Sequence, residues 1–266
     1  MSHVICLCTD ASIAVRTLFL FLFLVPTCLY ADWQVAKHKE SRTGSGKWNV
    51  AELAVGDGTH YAEVQLVYFA RNTAQWNIVP NLNGTLDGVQ AAVRSVDGLA
   101  GVNGGYFKLN LDPLGLLISK GKSIHPLQKA QLLSGIFAIR NGHPELRRVA
   151  KYAGSKGVSE AIQCGPFLVD NGRPVPGLNA SHTAARTFIF TCNSSIWGIG
   201  ICRSVTLAEM GNILAKAKLI PEHRITHALN FDGGSSTTFY VKLPDREISS
   251  TGVKVVSNYL VIRERP

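Results

Sequence analysis

The chain has 266 residues, of which 46% are hydrophobic and 17% are charged, and its formal net charge is +9 at pH 7. This composition can build a sizeable core and excludes a disordered or fibrous protein. A basic chain favours anionic partners such as phosphate or acidic polysaccharide, although solubility alone explains the charge equally well. The sequence has no run of five or more Lys or Arg residues and no known nucleic-acid-binding motif, so we expect no nucleic acid partner.

The N-terminal segment has the layout of an export signal. Residues 17–25 form an unbroken apolar run behind Arg16, and Pro26 and Ala31 follow. A secretory signal peptide cleaved after Ala31 explains this order, and the run is shorter than the roughly 20 apolar residues of a membrane-spanning helix. An uncleaved anchor and a lipid on Cys28 are the alternatives. We predict a signal peptide over residues 1–31, a secreted or periplasmic protein, and membrane contact only through an uncleaved leader.

The rest of the chain is predicted to form one α+β domain with a mixed β-sheet core and a few packed helices. Residues 32–55 are interpreted as an N-terminal lead-in and residues 56–266 as the domain. Alternating or apolar segments between Gly-rich turns predict strands. These segments are residues 61–70, 132–140, 166–170, 187–191, 196–202, 228–231, 237–242 and 255–263. Asn141-Gly142 and Asn171-Gly172 are typical of hairpin turns.

Two helices are predicted, over Leu86–Ser95 and Thr206–Leu219. In the second, Thr206 and Glu209 have the spacing of a capping box. Its apolar residues recur on one face, which is expected to pack on a sheet.

Three cysteines follow the leader, Cys164, Cys192 and Cys202, so at most one internal disulfide can form. Cys192 and Cys202 flank a predicted turn and could face each other across a hairpin. Buried thiols are an equal alternative, and the spacing does not suit zinc.

Three Gly-rich segments differ from ordinary turns. The first, residues 101–107, contains Asn103, Gly104, Gly105 and Tyr106, and its aromatic side chains could stack against a sugar ring. The second, residues 163–172, contains Gly165 before a strand. The third, residues 228–238, contains Asn230, Asp232, Gly233, Gly234 and Ser235. Glycine allows close backbone approach to a ligand, and exposed N–H groups can bind phosphate oxygens. Each segment alone also fits a tight hairpin.

Two charged residues stand out beside these segments. Arg186 begins a predicted strand, where a guanidinium can bind phosphate in a bidentate manner or form a surface salt bridge. Asp232 follows an apolar strand, and a carboxylate in that position is costly unless it has a task or a partner.

In order and spacing, the Gly-rich segments and Arg186-Thr187 resemble the phosphodiester glycosidase family, which includes the uncovering enzyme that removes N-acetylglucosamine from a phosphodiester on mannose. The resemblance extends over roughly residues 60–263. Ser235 departs from it, because the family usually has a third glycine at this position, and the strand after Arg186 also differs.

The resemblance implies hydrolysis of a sugar-1-phosphodiester at the anomeric bond, in surface or exopolysaccharide glycan metabolism. It implies that Asp232 is the nucleophile or the base for water, and that Arg186 binds the phosphate. Gly233, Gly234 and Ser235 would contact phosphate or sugar. The substrate-binding residues are completed by Asn103, Gly104, Gly105, Tyr106, Gly165 and Asn230. The expected partner is a phosphorylated glycan or sugar phosphate.

Other interpretations remain. Asp112, Asp170 and Glu209 are possible carboxylate partners of Asp232, but no segment marks them as catalytic. A serine nucleophile at Ser235 or Ser236 with His182 as base would lack the usual nucleophile elbow.

A different class of protein, a non-catalytic anionic polysaccharide-binding or export-accessory protein, fits the basic charge and the leader. No cofactor is predicted. A divalent metal at Asp232 is not excluded, although neighbouring acidic ligands are absent from the sequence around it.

Overall fold

The computed structural model describes residues 32–265, so the predicted leader and Cys28 lie outside the described residues. Within this range no helix is long and apolar enough to cross a membrane. Two α-helices are present, α1 (Gly88–Ser95) and α2 (Leu207–Lys216).

Most of the regular structure is β-strand. In chain order the strands are β1 (Gln34–Arg42), β2 (Trp48–Gly56), β3 (Tyr61–Ala70), β4 (Ala74–Pro80), β5 (Ala100–Asn103), β6 (Leu117–Ser119), β7 (Lys122–His125), β8 (Gly135–Arg140), β9 (His143–Arg148), β10 (Val158–Cys164), β11 (Phe167–Asp170), β12 (Arg173–Pro174), β13 (Ala184–Cys192), β14 (Ile196–Val205), β15 (His227–Asn230), β16 (Phe239–Lys242), β17 (Glu247–Ser250) and β18 (Asn258–Glu264).

The strands of the described chain form three sheets. The large sheet has the order β1-β2-β3-β14-β13-β15-β11-β12, and the two smaller ones have the orders β7-β6-β10-β8-β9 and β17-β16-β5-β18-β4. The fold is α+β as predicted but is dominated by sheet. The expected mixed sheet is wrong for these strands, because the described pairings between them are antiparallel. Short hairpin connections give antiparallel neighbours, whereas parallel pairs need long crossovers.

The main core lies between the large sheet and the two smaller ones. Trp76 of β4 is at its centre, with ring centroids 4.9 Å from Phe137, 5.5 Å from Phe69 and 5.8 Å from Trp197. The opposite face of the large sheet packs on α2 through residues such as Phe188 and Met210. A third cluster packs α1 against the sheet that contains β18. Both faces of β13 and β15 are therefore buried, and their ends are held rigidly.

Several local predictions are confirmed. β3 spans Tyr61–Ala70 as predicted, and Thr206 and Glu209 form both bonds of the capping box at the start of α2. Asn141-Gly142 joins β8 to β9 with both residues at positive φ, and Asn171-Gly172 joins β11 to β12 in the same way. This is the backbone geometry that a two-residue hairpin requires.

Two other expectations are revised. The segment interpreted as a lead-in forms β1 and β2, and β2 pairs with β3 along its whole length. The possible disulfide is excluded by the strand register, because Cys192 lies opposite Ile196 and Cys202 lies opposite Arg186. The cysteines of the described chain are buried free thiols.

Candidate active site

Asp232 lies in the loop that follows β15, at the end of a fully buried segment. Ala228, Leu229 and Phe231 are 0% exposed, whereas Asp232 is half-buried. Its Oδ1 atom accepts a hydrogen bond of 2.9 Å from the Gly233 backbone N–H. Burial raises the pKa of the Asp232 carboxyl above its ordinary value, and hydrogen bonds from Ser236 and Gly233 and the positive charge of Lys254 oppose that rise. The carboxyl is thus partly desolvated but remains reachable, as expected for a reacting group.

The Asp232 loop is held by the first Gly-rich segment. Asn103 at the end of β5 donates from Nδ2 to the Asp232 carbonyl at 2.7 Å, and the Asp232 N–H donates to the Gly104 carbonyl at 3.0 Å. Asn103 Oδ1 accepts from Thr187 Oγ1 at 2.7 Å and from the Thr238 N–H at 3.0 Å. One buried amide therefore joins β5, β13 and the loops on both sides of the site.

Gly104 and Gly105 contact a residue that the sequence interpretation missed. Asn258, at the start of β18, accepts from the Gly105 N–H through Oδ1 at 2.9 Å and from the Gly104 N–H through its carbonyl at 2.8 Å. A Cβ atom at Gly104 would lie 1.9 Å from Asn258 Oδ1, so only glycine fits. The polar pair Ser257-Asn258 at the start of an apolar strand is the sequence signal that could have identified this position, since buried polar groups need partners.

Tyr106, Gly165 and Asn230 meet on another side of the site. The Tyr106 hydroxyl donates to the Gly165 carbonyl at 2.6 Å, and Asn230 Nδ2 donates to the same carbonyl at 3.0 Å and to the Tyr106 hydroxyl at 3.2 Å. The Gly165-Pro166 peptide is cis. Burial raises the pKa of Tyr106, and the negative charge of the nearby Asp232 raises it further. Tyr106 is therefore a neutral phenol that forms part of the wall.

Arg186 lies on β13 with a buried guanidinium. Its Nε donates to the Val205 carbonyl at 3.1 Å and its Nη2 donates to the His182 carbonyl at 2.6 Å. Neither bond uses Nη1. Burial lowers the pKa of Arg186 from its very high ordinary value, which leaves it charged at neutral pH. A Cβ atom at Gly233 would lie 3.8 Å from Arg186 Cδ, so the arginine side chain runs directly beside the Asp232 loop.

The glycines after Asp232 set the shape of the loop. Gly233 has no space for a side chain, because its Cβ would lie 2.8 Å from the Ala185 carbonyl oxygen. Gly234 has a φ of 62° and begins a 3₁₀ turn that ends at Ser236. Ser235 is exposed, and its carbonyl accepts from the Val253 N–H at 3.0 Å and from the Lys254 N–H at 3.2 Å. Gly233, Gly234 and Ser235 therefore form the turn that directly follows the Asp232 carboxylate.

Lys254 is a second residue that the sequence interpretation missed. Its Nζ lies 5.1 Å from the centre of the Phe107 ring, within the range of a cation–π contact, and its charge lowers the pKa of Asp232. A lone lysine in a loop 22 residues after Asp232 has no local pattern that marks it. Only the docking of this loop on the Ser235 carbonyl brings it to the site.

The other sequence candidates have different roles. His182 is exposed and contributes its carbonyl to Arg186. Asp170 is paired with Arg148 at 2.9 Å, and Glu209 caps α2. The Asp112 carboxylate accepts from Asn110 at 2.7 Å. Within residues 32–265 no group of three or more His, Cys, Asp or Glu side chains is arranged to hold a metal ion.

A cleft of about 660 Å³ elsewhere on the protein does not contain Asp232. It lies at the end of α2 and is lined by residues 214–216 and 218–225. Its walls are largely apolar, and the acid and arginine among them, Glu222 and Arg224, are exposed, whereas Asp232 is half-buried and Arg186 is buried. The chemistry of the side chains therefore identifies the site better than volume does.

Comparison with known proteins identifies the family of this chain. The family model for phosphodiester glycosidases matches residues 97–263, a range that contains Asn103, Gly165, Arg186 and Asp232. No curated protein matches the chain in sequence.

Solved structures share the fold at low identity. The catalytic domain of zebrafish N-acetylglucosamine-1-phosphodiester alpha-N-acetylglucosaminidase, auto-inhibited by its pro-peptide, is similar with a TM-score of 0.60 and 15% identity, covering 88% of this chain and 83% of that chain. A hypothetical protein from Synechocystis is similar with a TM-score of 0.60 and 14% identity, covering 86% and 64%. A protein from Burkholderia pseudomallei K96243 has a TM-score of 0.55 and 12% identity, covering 80% and 74%. Because the family model spans more than half of the 266 residues, the chain belongs to the phosphodiester glycosidase family.

Proposed function

We propose that this protein hydrolyses a sugar-1-phosphodiester at the anomeric bond and that Asp232 and Arg186 carry the reaction. The observation that supports this most strongly is the partly buried Asp232 carboxyl, in a loop whose next residue, Gly233, packs beside the Arg186 side chain. The named activity of the zebrafish enzyme, which shares the fold, is of the same class.

In the proposed reaction the bond between the anomeric carbon and the phosphate oxygen breaks, and its electron pair leaves with the phosphate. A phosphomonoester is a good leaving group without protonation, so stabilising its negative charge matters more than a general acid. Arg186 supplies that stabilisation through Nη1. The absence of a second carboxylate beside Asp232 in the described chain is compatible with this chemistry.

Asp232 acts in its ionised form, either as nucleophile on the anomeric carbon or as base for the attacking water. In both cases the water oxygen ends on the sugar and one water proton ends in solvent. As a base, Asp232 takes that proton and passes it on. As a nucleophile, it forms a glycosyl ester that water then breaks, which regenerates the carboxylate. Two hydrogen bonds fix the loop, from Asn103 Nδ2 to the Asp232 carbonyl and from the Asp232 N–H to the Gly104 carbonyl. The carboxylate is therefore positioned before the substrate binds. Tyr106, Gly104 and Gly105 form the proposed sugar side of the site, and Gly233, Gly234 and Ser235 the phosphate side.

We further propose that the protein acts after export, on a phosphorylated surface or extracellular glycan. The apolar run behind Arg16 supports export, and the charge of +9 favours an anionic substrate. The exposed position of Ser235 is compatible with a substrate that extends away from the protein.

The test is to incubate the purified mature chain with nucleotide sugars and alkyl esters of sugar-1-phosphates, and to measure free sugar. Arg186→Ala should reduce kcat by about 100- to 1,000-fold, the loss expected for a positioned charge stabiliser. Arg42→Ala, at an exposed arginine at the end of β1, is the matched control and should retain full activity. Full activity of Arg186→Ala would contradict the assignment.

A second candidate function is binding of an anionic polysaccharide without turnover. The net charge of +9 favours it. Tight binding of phosphorylated glycans, with no sugar released from any of the nucleotide sugars or sugar-1-phosphate esters, would favour binding over hydrolysis.

A further inference from the structure

A basic groove lies around β9, at the edge of one of the small sheets. Three adjoining clefts form it, with volumes of about 440, 470 and 480 Å³. We call it the β9 groove and define it by the six cationic residues that line it. They are Arg71, Lys129, Arg140, Arg147, Arg148 and Arg173.

The three clefts adjoin one another. Arg148 lines both the second and the third, and its neighbour Arg147 lines the first. His227, in the first cleft, has its Nε2 atom 3.5 Å from Oδ1 of Asp170, which lines the second. An extended ligand can therefore pass from one cleft to the next.

The groove has a surplus of positive charge. Its six cations face two carboxylates, Glu145 and Asp170, which leaves four positive charges. Arg140 binds Glu145 at 2.9 Å and Arg148 binds Asp170 at 2.9 Å, so both acids are already neutralised. Arg71, Arg173 and Lys129 are exposed, and Arg147, also exposed, has only a 3.5 Å contact with Glu145. These four side chains can bind anions without breaking a close ion pair.

The lining favours a polysaccharide over a nucleic acid. Single-stranded nucleic acids bind through exposed aromatic side chains on which bases stack. The aromatic side chain that lines these clefts, Trp197, is 1% exposed and packs in the core. Hydroxyl and imidazole groups of the exposed Ser194 and His143 lie among the arginines instead, and such groups suit sugar hydroxyls.

The groove is separate from the Asp232 site. His227 begins β15 and Asn230 ends it, so the groove and the wall of the candidate active site lie about 10 Å apart along one strand. Within residues 32–265, no hydrogen bond or ion pair joins a cation of the groove to Asp232 or Arg186.

We propose that the β9 groove binds a linear polysaccharide that carries repeated negative charges. The charges are carboxylates or phosphodiesters, which the exposed arginines recognise in the same way. The groove holds the polymer independently of catalysis, so its binding does not depend on the proposed hydrolase function.

Binding of the mature chain to alginate, phosphomannan and uncharged dextran tests the proposal and distinguishes the two anions. The wild type should bind alginate or phosphomannan, should not bind dextran, and should lose affinity as salt is raised. The triple variant Arg71→Gln, Arg147→Gln, Arg173→Gln should bind at least tenfold more weakly. The control variant Lys37→Gln, Lys39→Gln, Lys122→Gln removes the same charge from exposed positions outside the groove and should bind as the wild type does.

Three outcomes would overturn the proposal. They are unchanged binding by the groove variant, an equal loss in the control variant, or tighter binding of a single-stranded DNA oligonucleotide of similar charge than of either polysaccharide. Each of the three single variants should lose part of the affinity, so the result does not depend on the triple variant alone. Sugar release from a small phosphodiester should be the same in the groove variant and the wild type, which separates a failure of this proposal from a failure of the proposed function.

Discussion

Asn103 Nδ2 donates a 2.7 Å hydrogen bond to the carbonyl of Asp232, across 129 residues of sequence. The bond joins the first Gly-rich segment to the last, and Asn103 Oδ1 extends the connection to Thr187, the neighbour of Arg186. The two residues proposed to carry the reaction are thus tied to the same buried amide. The Asp232 loop is therefore held by this amide as well as by contacts within the loop.

Asn103→Ala is expected to reduce both stability and activity. It leaves the buried Thr187 hydroxyl and Thr238 N–H without their acceptor, which should cost about 1–3 kcal/mol of unfolding free energy. A loop displaced by about 1 Å should lower kcat by about 100-fold. Urea denaturation and sugar-release kinetics measure the two effects. Asn103→Asp keeps the shape but replaces the donor, so an Asn103→Asp variant with wild-type kcat would show that the bond to Asp232 does not position the loop.

Gly104→Ala is expected to disrupt the same region by crowding. The added Cβ would lie 1.9 Å from Asn258 Oδ1, so the segment and β18 must move apart, at a cost of about 1–3 kcal/mol. Gly44→Ala is the matched control, because Gly44 is exposed and its Cβ would meet only Pro244 at 3.9 Å. Thermal unfolding of the two variants should show a clear loss of Tm for the first and almost none for the second. Equal Tm values would argue against close packing of Gly104 on Asn258.

Much of the fold could be predicted where the pattern is local. The alternation in Tyr61–Ala70, the Asn-Gly turns and the Thr206 capping box each depend on residues a few positions apart. β1 was missed because it is an exposed edge strand in which polar residues such as Lys37 and His38 lie on opposite faces and hide the alternation. β5 and β18 pair across more than 150 residues, and this register is visible only in the folded chain.

Asp232→Asn is expected to abolish sugar release while making the protein more stable at neutral pH. Burial raises the pKa of the Asp232 carboxyl in the folded protein above its ordinary value of 3.8. Between pH 3.8 and the raised pKa, the folded state therefore binds more protons than the unfolded state. The free energy of unfolding therefore falls as pH rises through that window, and above it the ionised carboxylate continues to destabilise the fold. Asparagine removes this cost and can still accept from the Gly233 N–H.

Thermal unfolding of the wild type and Asp232→Asn at pH 7 and near pH 3 measures the effect. The stability difference should be larger at pH 7, and kcat should fall by at least about 100-fold at the pH optimum. A stability difference that grows as the pH is lowered would have the wrong sign for a carboxyl with a raised pKa.

Lys254→Met is expected to move the acid limb of the activity profile to higher pH. The positive charge of Lys254 lowers the pKa of Asp232, so its removal lets burial raise that pKa further. The ionised fraction of Asp232 then appears only at higher pH. The dependence of kcat/KM on pH measures the shift, and 1 M salt should reduce it by screening the exposed lysine. Lys242→Met, at the exposed end of β16, should leave the profile unchanged.

The candidate site, like the fold, was predictable where the sequence pattern is local. Asp232, Arg186 and the glycines lie in short segments with an unusual composition, and these segments could be recognised without the structure. Lys254 was missed because it is a single side chain in a loop without a local pattern, and Asn258 was missed because its only signal is a polar pair, Ser257-Asn258, at the start of an apolar strand. Their relation to the site is set by the docking of residues 252–258 against the Asp232 loop.

Hydrolysis of an α-glycosyl phosphodiester in ¹⁸O-labelled water tests the central claim most directly, because it identifies the bond that breaks. If Asp232 directs water to the anomeric carbon, mass spectrometry should find the phosphomonoester product unlabelled and the sugar released as free sugar. Asp232→Asn, measured in parallel, should release almost none. Label in the phosphate group, or release of a sugar-1-phosphate, would show that the phosphorus–oxygen bond is cleaved and would contradict the proposed function.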